Sequence, residues 1–231
     1  MTGDPIWMKF LLALHVIAGF GAFLLAPVAL ITAKGGKHHK RWGMVYLWCM
    51  GLVAATALPM ALFRPVLFLA LVAILSFYLA FTGYRVLKLR SLVGGRTAQP
   101  ADWVVTGACF SSSAALLLLA VFRPALVQHM GMVAILFGAL GIRASGMHLL
   151  SLVRKPADKM GWIYKHFQHF IGSYIAAWTA FSTVTLPRLF GHTTWLWIWP
   201  AAIGVPAIIL TTAYYKRKFT QREPAVTTVP V

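Results

Sequence analysis

Long uncharged, apolar runs alternate along this chain with short basic connections. Between Lys9 and Lys34 lie 24 uncharged residues, between Arg41 and Arg64 lie 22, and between Arg64 and Arg85 lie 20. Asp102 to Arg123 leaves 20, Arg123 to Arg143 leaves 19, Lys165 to Arg188 leaves 22, and Arg188 to Lys216 leaves 27. A helix needs about 20 such residues to cross a bilayer. The pattern therefore predicts seven spans, roughly 6–33, 44–63, 65–87, 102–122, 124–146, 162–186 and 194–215. Backbone polar groups inside hydrocarbon must be satisfied within each segment, so every span is expected to be helical. The expected fold is all-α, a polytopic transmembrane helical bundle. A single transmembrane domain covers 1–222, and the tail 223–231 reads as disordered.

Composition supports this reading. Sixty per cent of the 231 residues are apolar and 11 % are charged, against about 45–50 % and about 25 % in a soluble domain. A water-soluble fold of this size could not cover its surface with so few charges. The charge is lopsided, with 21 Lys+Arg against 4 Asp+Glu and a net charge of +17. In a soluble chain that would suggest nucleic acid, but here the positions of the charges decide otherwise. Lys34, Lys37, Lys40 and Arg41 follow span one, and Arg85, Lys88, Arg90 and Arg96 follow span three. Arg154, Lys155, Lys159 and Lys165 follow span five, and Lys216, Arg217, Lys218 and Arg222 follow span seven. Those 16 share one side, while Lys9, Arg64, Arg123 and Arg188 mark the other. The basic side is expected to be cytoplasmic, with the N-terminus outside and the C-terminus inside. The expected partners are the lipid bilayer and anionic headgroups at the basic loops, including for His38 and His39, and no nucleic acid. The first run lacks a basic leader and is too long for a signal-peptide core, so no cleaved signal is expected. Cys49 and Cys109 lie inside spans and form no metal or disulfide pattern.

A weak repeat near 60 residues links Phe63-Arg64-Pro65 to Phe122-Arg123-Pro124, and VAIL at 72–75 to VAIL at 133–136. It suggests hairpins of spans 2–3, 4–5 and 6–7 added to a first helix. It also aligns Arg143, which first looks like a mid-membrane charge, with Arg85 at the end of span three. On that analogy Arg143 lies near the inner edge and 144–153 forms an interfacial extension. The other reading is an arginine facing a polar cavity.

Histidine supplies the remaining candidate chemistry. His15 lies about 12 Å inside the outer boundary at 1.5 Å per residue. Gly19, Ala22, Ala26, Ala29 and Ala33 follow on nearly the same face, which suits close helix packing or a flat ligand. His166, His169 and Ser173 share one face of span six at 100° per residue. Interfacial histidines in contact with headgroups and water are one reading. A ligand or proton site is the other, since imidazole coordinates metals and changes charge near neutral pH. A haem b needs two histidines from different helices at matching depth. His15 with His129 could meet near the outer side, and His148 with His166 or His169 near the inner side. A quinone or other small amphipathic ligand fits the same polar pockets, so the cofactor stays open. Span seven has no lysine between Trp195 and Tyr215, which excludes a retinal linkage. Asp4, Asp102, Asp158 and Glu223 all sit at or beyond an edge, which disfavours a pump using buried carboxylates. Pro27, Pro59, Pro200 and Pro206 fall inside spans and are expected to kink them.

The stretches LHVIAGFGAFLLAPVALITAKGGKHHKRWGMVY at 14–46, LSFYLAFTGYRVL at 75–87 and HFQHFIGSYIAAWTAF at 166–181 resemble a family of bacterial integral membrane proteins catalogued as a domain of unknown function. The matching positions are His15, Gly19, Pro27, His39, Gly43, Tyr46, Tyr78, Gly83, Arg85, His166, Gly172, Tyr174 and Thr179. Met44 stands where the family often carries a basic residue, and His129 and His169 lie outside its pattern. The resemblance implies a multi-pass protein of the bacterial inner membrane. The site expectation is an inner polar group around His166, Tyr174, Arg143 and Arg85, and an outer one around His15. Three functions remain open. They are a membrane redox or cofactor-binding protein using haem b or quinone, a transporter or binding accessory for a small or lipidic molecule, and an assembly subunit.

Overall fold

The computed structural model describes residues 5–63, 67–89, 98–124, 131–154, 160–191 and 193–220. His129, Arg64, Arg90, Arg96, Lys155, Lys159, Asp158, Glu223 and the tail expected at 223–231 lie outside them. Among the described residues the chain is helical and has no strand. The helices are α1 (Ile6–Ile31), α2 (Lys37–Phe63), α3 (Leu67–Leu89), α4 (Pro100–Phe122), α5 (Gly131–Val153), α6 (Gly161–Thr185), the single turn α7 (Pro187–Phe190) and α8 (Trp195–Thr220). Six of them, α1 to α5 and α8, are long and apolar enough to cross a membrane. Their outward faces carry Phe10, Ile17, Leu24, Leu118, Leu140, Ile203 and Leu210, all exposed. Apolar surface on that scale is unsuited to water and suited to lipid.

Neighbours in sequence pack as neighbours in space along α1–α2, α2–α3, α3–α4 and α4–α5, and α6 then folds back against α3, α1 and α8. Helix α3 is the central element, with about half of its apolar window buried against about a tenth for α8. Helix α6 is long enough to cross but lacks a stretch as apolar as those of the other six. Its polar side chains are consumed by its neighbours. Ser173 bonds Tyr46 of α2, Tyr174 bonds the Phe23 carbonyl of α1, Gln168 bonds Thr212 of α8, and His166 bonds the Gly83 carbonyl of α3. A helix so placed needs no apolar surface for lipid. Gly83 makes the α3–α6 approach possible, because a Cβ there would stand 2.8 Å from the Phe170 ring.

Two boundaries differ from the sequence expectation. The basic stretch before span two is already helical from Lys37, so α2 begins about two turns earlier than the apolar run. Helix α5 runs unbroken through Val153. Residues 144–153 are part of the packed bundle, since Ser145 is fully buried and His148 is 5 % exposed. Periodic burial continues there despite Arg143, because that side chain points away from the bundle and is exposed.

Candidate functional site

The ends of α3, α5 and α8 meet the starts of α2, α4 and α6 at the pole where the basic connections gather. A polar group is built there from five helices. Tyr78, Thr82 and Arg85 follow one another at helical spacing on the buried face of α3. Arg85 holds Asp102 through two parallel bonds, Nε to Oδ1 and Nη2 to Oδ2, each 2.6 Å. Asp102 is fully buried and Arg85 is 8 % exposed. Asp102 also accepts from the Gln99 backbone N–H at 2.9 Å, the carboxylate arm of a capping box at the start of α4. A carboxylate at that position suits the positive end of the helix dipole. The pair thus fixes α3 to α4 and closes the N-terminus of α4.

One turn further into the bundle stand three rings. Tyr78 lies 6.1 Å from His148 and 6.1 Å from His169, and the two histidines are 6.3 Å apart, ring centre to ring centre. Each is anchored by one hydrogen bond. The Tyr78 hydroxyl donates to the Ala144 carbonyl at 3.0 Å. His169 Nδ1 lies 2.7 Å from Thr82 Oγ1, and His148 Nδ1 lies 3.3 Å from Thr106 Oγ1. His169 is half-buried on α6. Lys165, half-buried on the first turn of α6, is close enough for its charge to act on both histidines.

Beside this triangle His166 Nδ1 donates to the Gly83 carbonyl at 2.8 Å, and its ring lies 6.1 Å from His39 and 5.0 Å from Phe170. His39 is turned inward. Its Nδ1 donates to the Ala29 carbonyl at 2.9 Å, which helps satisfy the orphan carbonyls at the end of α1. This differs from the headgroup contact expected of His39, while His38 is exposed. Lys34 completes that end by donating to the Leu30 carbonyl. Partial burial in the connection pushes its ammonium below the ordinary lysine range.

The structure brings together His148, His166, His169 and Arg85 from the sequence candidates. Arg143 is exposed on the far face of α5 and does not join them. Tyr174 faces α1 and bonds the Phe23 carbonyl, two turns from His166. His15 is an interhelical tie. Its Nδ1 reaches Thr56 Oγ1 at 3.0 Å and the Val53 carbonyl at 3.2 Å on α2. The stripe beyond it is packed, with Ala22 fully buried in a cluster with Tyr46, Met50 and Ala80. Sequence reasoning missed Tyr78, Thr82, Asp102 and Thr106 as members of the site, naming Tyr78 only as a position of the family resemblance. The Tyr78-x₃-Thr82-x₂-Arg85 spacing, and the single acid 17 residues after Arg85, were the available signals.

A haem axis between His148 and His169 does not fit this geometry. A porphyrin would occupy the plane bisecting their line. The three ring separations place Tyr78 in that plane, about 5 Å from the midpoint and inside the porphyrin footprint. The rings of His166 face His39 and Phe170 instead of His148. Among the described residues no group of three His, Cys, Asp or Glu side chains is placed to hold a metal ion. Compared with protein-family profiles, curated proteins and solved structures, the chain matches none.

Proposed function

We propose that this is a seven-span protein of the bacterial inner membrane that binds a small amphipathic ligand of the quinone type between α3, α5 and α6. The N-terminus lies outside and the basic pole is cytoplasmic. The observation that carries the reading is the Tyr78–His148–His169 triangle. Three ring side chains meet at one depth of an apolar bundle, each held by a single hydrogen bond, beside a buried ion pair. Small-molecule sites combine apolar and aromatic walls with a few fixed polar groups, and this cluster has that composition. Buried polar side chains in a membrane bundle are costly and by default suggest function. Helix α6 as the seventh span is supported by its 25-residue length and by its place between α1, α3 and α8.

A photoreactive short-chain quinone applied to the protein in nanodiscs tests the reading. The expected result is saturable labelling of peptides from α3, α5 or α6, competed by the unlabelled compound. Labelling spread over the lipid-facing helices, without competition, would overturn it.

A further inference from the structure

The hydrogen bonds at the triangle fix which way the site is polarised. Thr82 has one hydroxyl proton and two close partners, the Tyr78 carbonyl at 2.7 Å and His169 Nδ1 at 2.7 Å. A carbonyl only accepts, so the threonine proton goes to it, and the proton of the second bond comes from the imidazole. The same holds one helix away. Thr106 Oγ1 donates to the Asp102 carbonyl at 2.6 Å, so His148 donates from Nδ1. Each threonine is a fixed acceptor for its histidine because the helix backbone has taken its only proton. In a neutral ring held this way, Nε2 carries a lone pair and no hydrogen.

Among the described residues neither Nε2 bonds another protein group. His148 and His169 each make one hydrogen bond, through Nδ1. No buried side-chain nitrogen or oxygen among the described residues lacks a partner, so an unpartnered Nε2 is one that reaches accessible space. The third member of the triangle offers no donor, because the Tyr78 proton goes to the Ala144 carbonyl. The ligand-facing chemistry of the two rings is therefore acceptance.

We infer that the ligand presents a phenolic hydroxyl to Nε2 of His148 and His169, so that the site takes a hydroquinone in preference to the quinone, because both rings have their Nδ1 protons committed to Thr106 and Thr82. This rests on the quinone-type reading above and specifies the form bound. The aromatic walls favour an aromatic head over an aliphatic alcohol. Quinone carbonyls only accept and would leave both lone pairs unpaired, and a buried polar group without a partner is costly.

The test compares three ligands of one shape by equilibrium dialysis against the full chain in micelles under anaerobic conditions. They are a short-chain hydroquinone, its quinone, and the hydroquinone dimethyl ether, which keeps the ring and loses both donors. The expected result is saturable hydroquinone binding, with the ether and the quinone each at least about tenfold weaker, the loss of one good hydrogen bond. In His169→Phe and, separately, His148→Phe, the preference for hydroquinone should shrink by a similar factor. Each variant is first checked for an unchanged gel-filtration profile, and one folded variant suffices. Equal or tighter binding of the quinone or the ether overturns the donor inference and leaves the binding reading standing. A preference unchanged in a folded histidine variant also overturns the inference. Binding of none of the three overturns both.

Discussion

The Tyr174 hydroxyl donates to the carbonyl of Phe23, the group that Pro27 leaves without its helical partner four residues on. Proline lacks an N–H, so a proline inside a helix frees the carbonyl four residues before it. Ser182 does the same on α8, donating at 2.8 Å to the carbonyl of Leu196, which Pro200 frees. Both donors lie on α6. Pro27 and Pro200 thus free the two carbonyls at which the polar helix α6 docks.

Tyr174→Phe is expected to lower stability by about 0.5–1 kcal/mol, the range of side-chain hydrogen bonds in membrane bundles. In a Pro27→Ala background the loss should nearly vanish, because alanine at that position restores the backbone N–H that the Phe23 carbonyl lacks. Reversible unfolding in mixed micelles, run as a double-mutant cycle, reads the coupling. Equal losses in both backgrounds would contradict the account.

Ser182 is fully buried and also accepts from Trp199 Nε1 at 2.8 Å. Ser182→Ala leaves a carbonyl and an indole N–H unpaired, so the expected cost is about 1–3 kcal/mol. The same unfolding assay checks it, and Ser182→Thr should recover part of the loss.

Removing one partner of the Arg85–Asp102 pair leaves a buried charge. Asp102→Ala is expected to cost about 3–5 kcal/mol, while Arg85→Met with Asp102→Leu should cost much less. Arg85→Lys should not restore wild-type stability, since an ammonium cannot make the two parallel bonds. Thermal unfolding of the four proteins in detergent separates these outcomes.

The helices were legible because a bilayer requires long uncharged runs, and the distances between charges measure them. Six such runs match helices of membrane length. The start of α2 was not legible from hydropathy, because Lys37 to Arg41 are helical but polar. The internal repeat aligned Arg143 with Arg85 but could not show their different surroundings: Arg85 is buried against Asp102, while Arg143 is exposed on the outer face of α5. Histidine identity drew attention to His148, His166 and His169. Their grouping depended on α6 folding back onto α3, a non-local contact that no spacing along the chain encodes. His15 looked like a site by the same residue type, but Thr56 and Val53 of the adjacent helix use its proton. His15→Ala is therefore expected to weaken the α1–α2 packing and leave ligand binding unchanged, which the dialysis assay reads.

Orientation is tested by single cysteines in a chain lacking Cys49 and Cys109. Thr193→Cys, exposed between α7 and α8, should react with an impermeant maleimide in intact cells. His38→Cys, exposed at the basic pole, should react only after lysis. The opposite pattern would invert the topology.

The most direct test of the central claim is ¹⁵N NMR of the protein with labelled histidine, assigned through the His148→Phe and His169→Phe variants. Before ligand is added, His148 and His169 should show an unprotonated Nε2 and a protonated Nδ1. Hydroquinone should shift both Nε2 signals towards the hydrogen-bonded position and leave exposed His38 unmoved, and the dimethyl ether should shift neither. Protonated Nε2 in the free protein, or Nε2 signals that ignore hydroquinone at saturating concentration, would contradict it.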